Sequence, residues 1–318
     1  MAFLDSVESL LQVLLAGVLL GCLYGLMCAG LGLIFGIMRV INFAQGDFMM
    51  LAMYLGLNGV ALLAPGRAYA FPIAMGVAVL LAVVFYGLGA GTHLLLLRRV
   101  SGARILEVEE SGHTGQLILT LGLSLVLQNG ALMVFGSQPS SIGNAAAESS
   151  WVIGPLIGDQ IMLFVNQARF WSAVISVVAV AATLLVLTRT GIGRRLRAVA
   201  GNPVAALYMG IDIERAFRVA FGIGLALTAI AGVCTATFYP FQPYTGFDFV
   251  IIMYAGVVLG GMGSFGGAFA GGLLIGIVQQ LSTLILSPQL QNTAVFVVFL
   301  AVLLLRPQGL FGRSAERA

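Results

Sequence analysis

Charge is scarce in this 318-residue chain, and lysine is absent. Acidic and basic residues together make up 8% of it, and all fifteen basic residues are arginine. A soluble domain carries about 25% charged residues. So few charges cannot cover a water-exposed surface, which excludes a water-soluble protein and indicates an integral membrane protein. The arginines flank apolar runs and form no free basic domain, so nucleic-acid binding has no support. Cysteine is limited to Cys22, Cys28 and Cys234, all in apolar runs and without metal-like spacing. They read as packing residues, and no metal site is expected. The two histidines are equally isolated. His93 closes an apolar run near Arg98, and His113 stands close to Glu107, Glu109 and Glu110. Both read as interface or solvated residues. No GxxxxGK[ST] phosphate loop occurs, so the chain itself is expected to bind no ATP and to carry no cofactor. No HExxH, GxSxG or paired carboxylate lies within an apolar run, so no catalytic residue is expected. The N-terminus offers Asp5 and Glu8 in place of a basic segment, which argues against a cleavable signal peptide.

What the chain does have is apolar length and glycine. Hydrophobic residues make up 60%, and 42 positions are glycine. In lipid, glycine favours close helix contacts and broken helices. A spanning helix needs about 20 mostly apolar residues. Suitable runs are Leu10 to Met38, Asn42 to Ala64, Phe71 to Leu97, Gln116 to Phe135, Phe170 to Leu187 and Phe217 to Tyr239. No charge occurs between Asp248 and Arg306, where three more runs fit: Asp248 to Gly261, Ala268 to Leu286 and Asn292 to Leu305. The expected fold is therefore all-α, a polytopic bundle of eight to ten spans with discontinuous helices, built as one transmembrane domain over residues 1–318. Orientation follows from the arginines. An outside N-terminus places thirteen of the fifteen on the inner face and leaves only Arg67 and Arg169 outside. That is a strong positive-inside bias, and it puts the C-terminus inside. The longest outer loop runs from Gly136 to Arg169. Its apolar stretch WVIGPLIGDQIML is too short to span and is expected to lie on the surface, dip back in, or pack as a loop.

Six arginines fall between Arg189 and Arg218, in a polar insert on the inner side. Thr190-Gly191 carries a helix stop signal. Gly193 to Met209 then suits a short helix, with Arg194, Arg195 and Arg197 in its first part. Asn202-Pro203 breaks or restarts it, because proline lacks an N–H and fixes φ. Gly210 has the character of a C′ residue. Ala205, Ala206 and Leu207 form a small apolar face. Such an insert is either a docking element for a soluble partner or a connector anchored at lipid headgroups by its arginines.

Five collinear stretches resemble one known family, the bacterial ABC importer permeases of the branched-chain amino acid (LivH/LivM) type. They are GRRLRAVAGNPVAALYMGID; GLMCAGLGLIFGIMRVINFAQGDFMMLAMY, with an INFAxG motif; LTLGLSLVLQNGALMVFGS; FGIGLALTAIAGV; and VVLGGMGSFGGAFAGGLLIG. The resemblance implies an inner-membrane location and four kinds of partner or ligand. These are a homologous permease subunit, two cytoplasmic ATPases that bind the ATP and Mg, a periplasmic binding protein, and surrounding lipid. It also implies that Asn202 to Gly210, with Pro203, Ala205 and Ala206, make the ATPase contact. The family includes relatives linked to urea, amides and aromatic acids, so it leaves the substrate open.

Polar groups inside a bilayer are costly and mark pathways. The main cluster is Asn42, Gln45, Gly46 and Asp47. Either Gln45-Gly46 interrupts a helix whose N-terminus faces a substrate carboxylate, or Asn42 and Asp47 cap a helix at the inner interface. Gln128 and Asn129 are adjacent on a helix, so they point about 100° apart and at most one faces a cavity squarely. GDFMMLAMY (46–54) and GFDFVIIMYA (246–255) share a pattern, which suits an inverted repeat or a chance likeness of apolar text. As a repeat it would set Asp47 and Asp248 near opposite membrane faces. Tyr239, Pro240, Phe241, Pro243 and Tyr244 suit an interfacial aromatic belt, an outer gate or a contact with the binding protein. An ATP-driven permease for amino acids is thus the first reading, and an ATP-independent secondary transporter or channel is the alternative. Mid-span ionisable relays, common in secondary carriers, are nearly missing.

Overall fold

In lipid, every backbone N–H and C=O has to be satisfied within the protein, and a helix does this inside one segment. The apolar runs accordingly form helices in the computed structural model, which describes residues 2–63, 70–98, 110–143, 145–156, 161–287, 290–306 and 308–312. In chain order the elements are α1 (Ala2–Met38), α2 (Gln45–Leu63), α3 (Ala70–Thr92), α4 (Glu110–Phe135), α5 (Ala145–Glu148), β1 (Ser150–Leu156), β2 (Ile161–Asn166), α6 (Gln167–Arg189), α7 (Gly191–Gly201), α8 (Pro203–Tyr208), α9 (Ile213–Ala236), α10 (Thr245–Gly260), α11 (Phe265–Ser282) and α12 (Gln291–Leu305). A π-helical turn, His93–Leu97, extends α3. Among the described residues, α1, α2, α3, α4, α6, α9 and α11 contain stretches long and apolar enough to cross a membrane. The shorter apolar helices α10 and α12 occupy the other two runs. The polytopic helical bundle read from the sequence is thus the fold.

Helix α1 runs through the centre. Against it α11 lies antiparallel, and small residues let the two backbones touch. A Cβ on Gly276 would stand 2.3 Å from the Gly21 Cα. Cys28 and Cys234 are fully buried and Cys22 nearly so, and all three are free thiols.

Two expectations change. The stretch WVIGPLIGDQIML is more ordered than the loop reading expected, with Trp151, Val152 and Ile153 exposed. Its two arms form an antiparallel hairpin, with Ser150 opposite Asn166 and Val152 opposite Phe164. β-Branched and aromatic residues on both arms favour the extended backbone. The outer backbone edge of β2 is satisfied from α1: Gln12 Nε2 donates to Phe164 O (2.7 Å), and Phe164 N–H donates to Gln12 Oε1 (2.9 Å). His93 is not an interface residue. It is 1% exposed, packed beside the rings of Phe217 and Phe221. The inner-side insert is two helices, restarting at Asn202-Pro203 as the sequence indicated. Arg67, Arg99, Arg104, Arg313, Arg317, Glu107 and Glu109 lie outside the described residues.

Candidate translocation site and coupling surface

Helix α2 begins deep in the bundle. Gln45 Nε2 donates to Thr228 Oγ1 and reaches Gly224 O at 3.5 Å. Gly224 and Thr228 stand 11 and 15 residues beyond the first residue of α9. At 1.5 Å per residue that is about 16–22 Å along the helix, near its middle. The segment 39–44 therefore climbs back from the end of α1 into the bundle interior. Arg39 makes the turn with φ 52°, in the left-handed region. The reading of Asn42 and Asp47 as caps at a membrane interface is thereby overturned. Asn42 Nδ2 instead donates to Gln45 Oε1 (2.9 Å) and holds that side chain on α9.

A second helix starts at the same point. A Cβ on Gly46 would fall 1.9 Å from Gly246 O, and one on Gly246 would fall 2.7 Å from Gly46 O. The first turns of α2 and α10 thus meet backbone to backbone. From this junction the two helices leave in opposite directions. Helix α2 leads to Tyr54, which stacks on Phe135 (4.3 Å) and meets Phe241 edge-on (4.8 Å). Phe241 bridges to Ser140, on the hairpin face. Helix α10 ends at Gly260, against Gly267 and close to Phe311 and Gly312, on the face that carries α7 and α8. Asp47 and Asp248 therefore do not lie near opposite membrane faces, as the repeat alone suggested. Both sit in first helical turns that converge within the bundle.

Each helix N-terminus carries about half a positive charge. Two of them aimed at one point make a polar locus in apolar surroundings, suited to a solute with an anionic end. Asp47 offsets that field on one side. It is 1% exposed, and its Oδ1 accepts from Gln128 Nε2 (2.9 Å), which also reaches Ser124 Oγ (3.2 Å). Asp248 is exposed, one turn into α10. Buried Asn42 Oδ1 and Tyr254 Oη have no hydrogen-bond partner among the described residues. Of the adjacent pair, Gln128 joins this cluster. Asn129 is exposed and returns its amide to Leu125 O of its own helix, so the fold does not bring it in. Toward the insert face, a cavity of about 690 Å³ opens beside α1, with Phe35, Arg39, Ile41, Arg197 and Met262 in its wall.

The insert is held by local punctuation. Thr190 leaves the helix (φ −96°, ψ 162°), and its Oγ1 accepts from Gly193 N–H to start α7. Gly193, Leu196 and Val199 face the bundle, while Arg194, Arg195 and Arg197 lie on the exposed side. Arg197 bends back, however, and its Nη1 donates to Leu187 O at the end of α6, where helix carbonyls lack partners. Asn202 Oδ1 caps α8 by accepting from Ala205 N–H (3.0 Å), with Pro203 in the first turn. Gly210 (φ 75°) ends α8, as Gly210 N–H and Ile211 N–H donate to Leu207 O and Ala206 O. The face of α8 differs from the expected one. Ala206 is 4% exposed and turned inward, whereas Tyr208 (84%) and Met209 (81%) project, with Leu207 beside them. The outward knob is therefore made of large apolar residues.

Sequence reasoning missed two positions. Gly246 and Gly193 are held by backbone contacts to residues 200 and 6 positions away, Gly46 and Leu187. For Gly246 a faint signal existed in the likeness of Gly46-Asp47-Phe48 to Gly246-Phe247-Asp248-Phe249. For Gly193 none did.

A bundle of apolar helices, two interior helix starts meeting at a polar point, and an amphiphilic helix pair on one face define a multi-pass transport permease. The chain matches a family model described as branched-chain amino acid transport system / permease component over residues 13–305, and it belongs to that family. The high-affinity branched-chain amino acid transport system permease protein LivH of Escherichia coli K12 is 31% identical over 309 residues, 95% of this chain and 96% of that protein. BraD of Pseudomonas aeruginosa, a permease of the same description, is 29% identical over 311 residues, again 95% and 96%. The ribose import permease RbsC of Bacillus subtilis is 34% identical over 108 residues, a third of each chain.

Proposed function

We propose that this chain is the membrane-spanning permease subunit of an ATP-driven importer for branched-chain or similar amino acids. It works with a homologous permease subunit, two cytoplasmic ATPases that bind ATP and Mg, and a periplasmic substrate-binding protein, in a bacterial inner membrane. The observation that carries this reading is the α7–α8 pair: a capped, rigid helix couplet whose Leu207, Tyr208 and Met209 project from the bundle. Large apolar side chains exposed beside arginines suit a groove on a soluble motor subunit. The positive-inside bias sets this couplet in the cytoplasm, the N-terminus in the periplasm and the C-terminus in the cytoplasm. Arg194 and Arg195 serve at the rim of the contact. Asn202, Pro203, Ala205 and Gly210 shape α8, Ala206 seats it on the bundle, and Arg197 ties it to α6. Closure of the motor pushes the couplet, and the push passes through the Thr190 turn into α6 and through Asp212 into α9. Helix α9 holds Gln45, so the movement reaches the junction of α2 and α10. There Asn42, Gln45, Gly46, Asp47, Gln128 and Asp248 border the path.

Co-purification with neighbouring gene products, followed by identification of the ligand on the soluble binding component, tests the assembly and the substrate. Active transport by the chain alone in proteoliposomes without nucleotide would favour the ATP-independent alternative. Within the assembly, Tyr208→Asp together with Met209→Asp is expected to lower uptake about tenfold or more, since each replaces an exposed apolar side chain that the motor contact would bury with a charge that it would desolvate. Membrane insertion should be unchanged, because both side chains lie outside the bundle. Uptake at the normal rate in this double variant counts against the docking role.

A further inference from the structure

A second polar feature lies under the hairpin, away from the junction and the coupling couplet. A cavity of about 340 Å³ is lined by α1, α5, the hairpin, the start of α6 and Phe238 just beyond α9. That volume is in the range that takes a small molecule. One wall is apolar, with Leu15, Leu19 and Phe238. The polar side chains of the other wall are mostly spoken for. Gln12 uses both ends of its amide on Phe164. Asn166 Oδ1 accepts from the Arg169 backbone N–H, and its Nδ2 donates to Ala147 O. Arg169 is different. It is half-buried, its guanidinium lies over the Phe238 ring at 5.5 Å, and among the described residues no acidic group stands within ion-pair distance of it. A guanidinium carries five donors in a fork that fits a carboxylate. A partly desolvated cation without an anion is costly, and an anionic ligand removes that cost.

We propose that this cavity binds the carboxylate of a small aliphatic acid or amino acid, with Arg169 on the carboxylate and Leu15, Leu19 and Phe238 around the hydrocarbon. The site deepens the transport reading by giving the solute a station on the periplasmic side before the junction. Tyr24 lies within electrostatic reach of Arg169 and packs edge-on to Phe249 at 6.3 Å, three residues beyond Gly246.

The chain's two tryptophans report on this site. Trp151 packs against Phe170 (5.4 Å) and Trp171 (6.4 Å), beside Arg169. The full chain in phosphatidylcholine nanodiscs is titrated with 4-methylpentanoate and with its uncharged amide, reading tryptophan emission. The expected result is a saturable change with the acid and none with the amide. Arg169→Gln should raise the acid's midpoint about tenfold, the usual scale of a lost charge-assisted hydrogen bond. If that variant does not give a monodisperse particle, Arg169→Lys keeps the charge without the fork and should raise the midpoint by a smaller factor. An equal response to acid and amide, no response to either, or a midpoint indifferent to both variants overturns the proposal. So does an Arg169-dependent response to phosphatidylglycerol in the disc but not to the acid, which would make the occupant a lipid phosphate. Because the readout is binding rather than transport, failure here leaves the importer assignment intact.

Discussion

Gly46→Ala is expected to reduce uptake by the assembled importer about tenfold or more, the equivalent of about 1.4 kcal/mol or more. The added methyl group would sit 1.9 Å from Gly246 O, 2.7 Å from the Gly246 carbonyl carbon and 3.0 Å from Val250 Cβ. Two of those three atoms are backbone, so no flexible side chain can swing aside. Relief requires the first turns of α2 and α10 to separate. Forcing extra atoms into a close-packed site costs typically about 1–3 kcal/mol, and a backbone collision belongs at the upper end. Separation would also pull Gln45 from Thr228 and Asp47 from Gln128. Gly246→Ala should do less harm, since its nearest contacts are longer, at 2.7 and 2.8 Å. Gly122→Ala, with nothing within 4 Å, should be silent. Uptake of labelled leucine per mole of complex, read beside a thermal melt in detergent, checks the order. Equal uptake in the Gly46 and Gly122 variants would remove the junction from the mechanism.

Gly193→Ala is expected to separate ATP hydrolysis from uptake. Here the new methyl group would fall 2.1 Å from Leu187 O and 2.4 Å from its carbonyl carbon. The turn at Thr190 cannot close around it, so the angle between α6 and α7 must open. Leu187 O is also the acceptor for Arg197 Nη1, so the same shift breaks the tie between couplet and bundle. Uptake should fall about tenfold or more, by the same overpacking scale. Hydrolysis by the associated ATPases should persist, because the Tyr208–Met209 knob is untouched. Gly191→Ala is the control: its nearest neighbour is Arg194 Nη2 at 3.9 Å, and an effect within about 0.5 kcal/mol is expected. A parallel loss of both activities would place the defect in assembly rather than in coupling.

Legibility from sequence varied with the range of the interaction. The insert was readable because its punctuation is local. Thr190, Asn202-Pro203 and Gly210 each act on backbone groups a few residues away, and each does so in the structure. The hairpin was not readable, since its arms are too apolar to show a clear period of two, and the clamp on the edge of β2 comes from Gln12, more than 150 residues away. The face of α8 was misjudged for a related reason. A six-residue helix has too few turns to display a periodic pattern, so only its packing against α7 and α9 turns Ala206 in and Tyr208 out. His93 reads as a span end, yet the π-helical turn and the rings of Phe217 and Phe221 bury it.

By itself the sequence determined that this is a multi-pass helical membrane protein, which runs are helical, which connection is a structured insert, and which family it belongs to. Those properties follow from residue composition and from hydrogen bonds between near neighbours. Only the tertiary structure decided that α2 and α10 start at one point, that Gln128 rather than Asn129 reaches Asp47, and that Arg197 turns back onto α6. In a membrane a helix is apolar on every side, so its sequence carries no stripe to say which face meets which neighbour. Close packing of glycine backbones makes that choice, between residues as much as 200 positions apart.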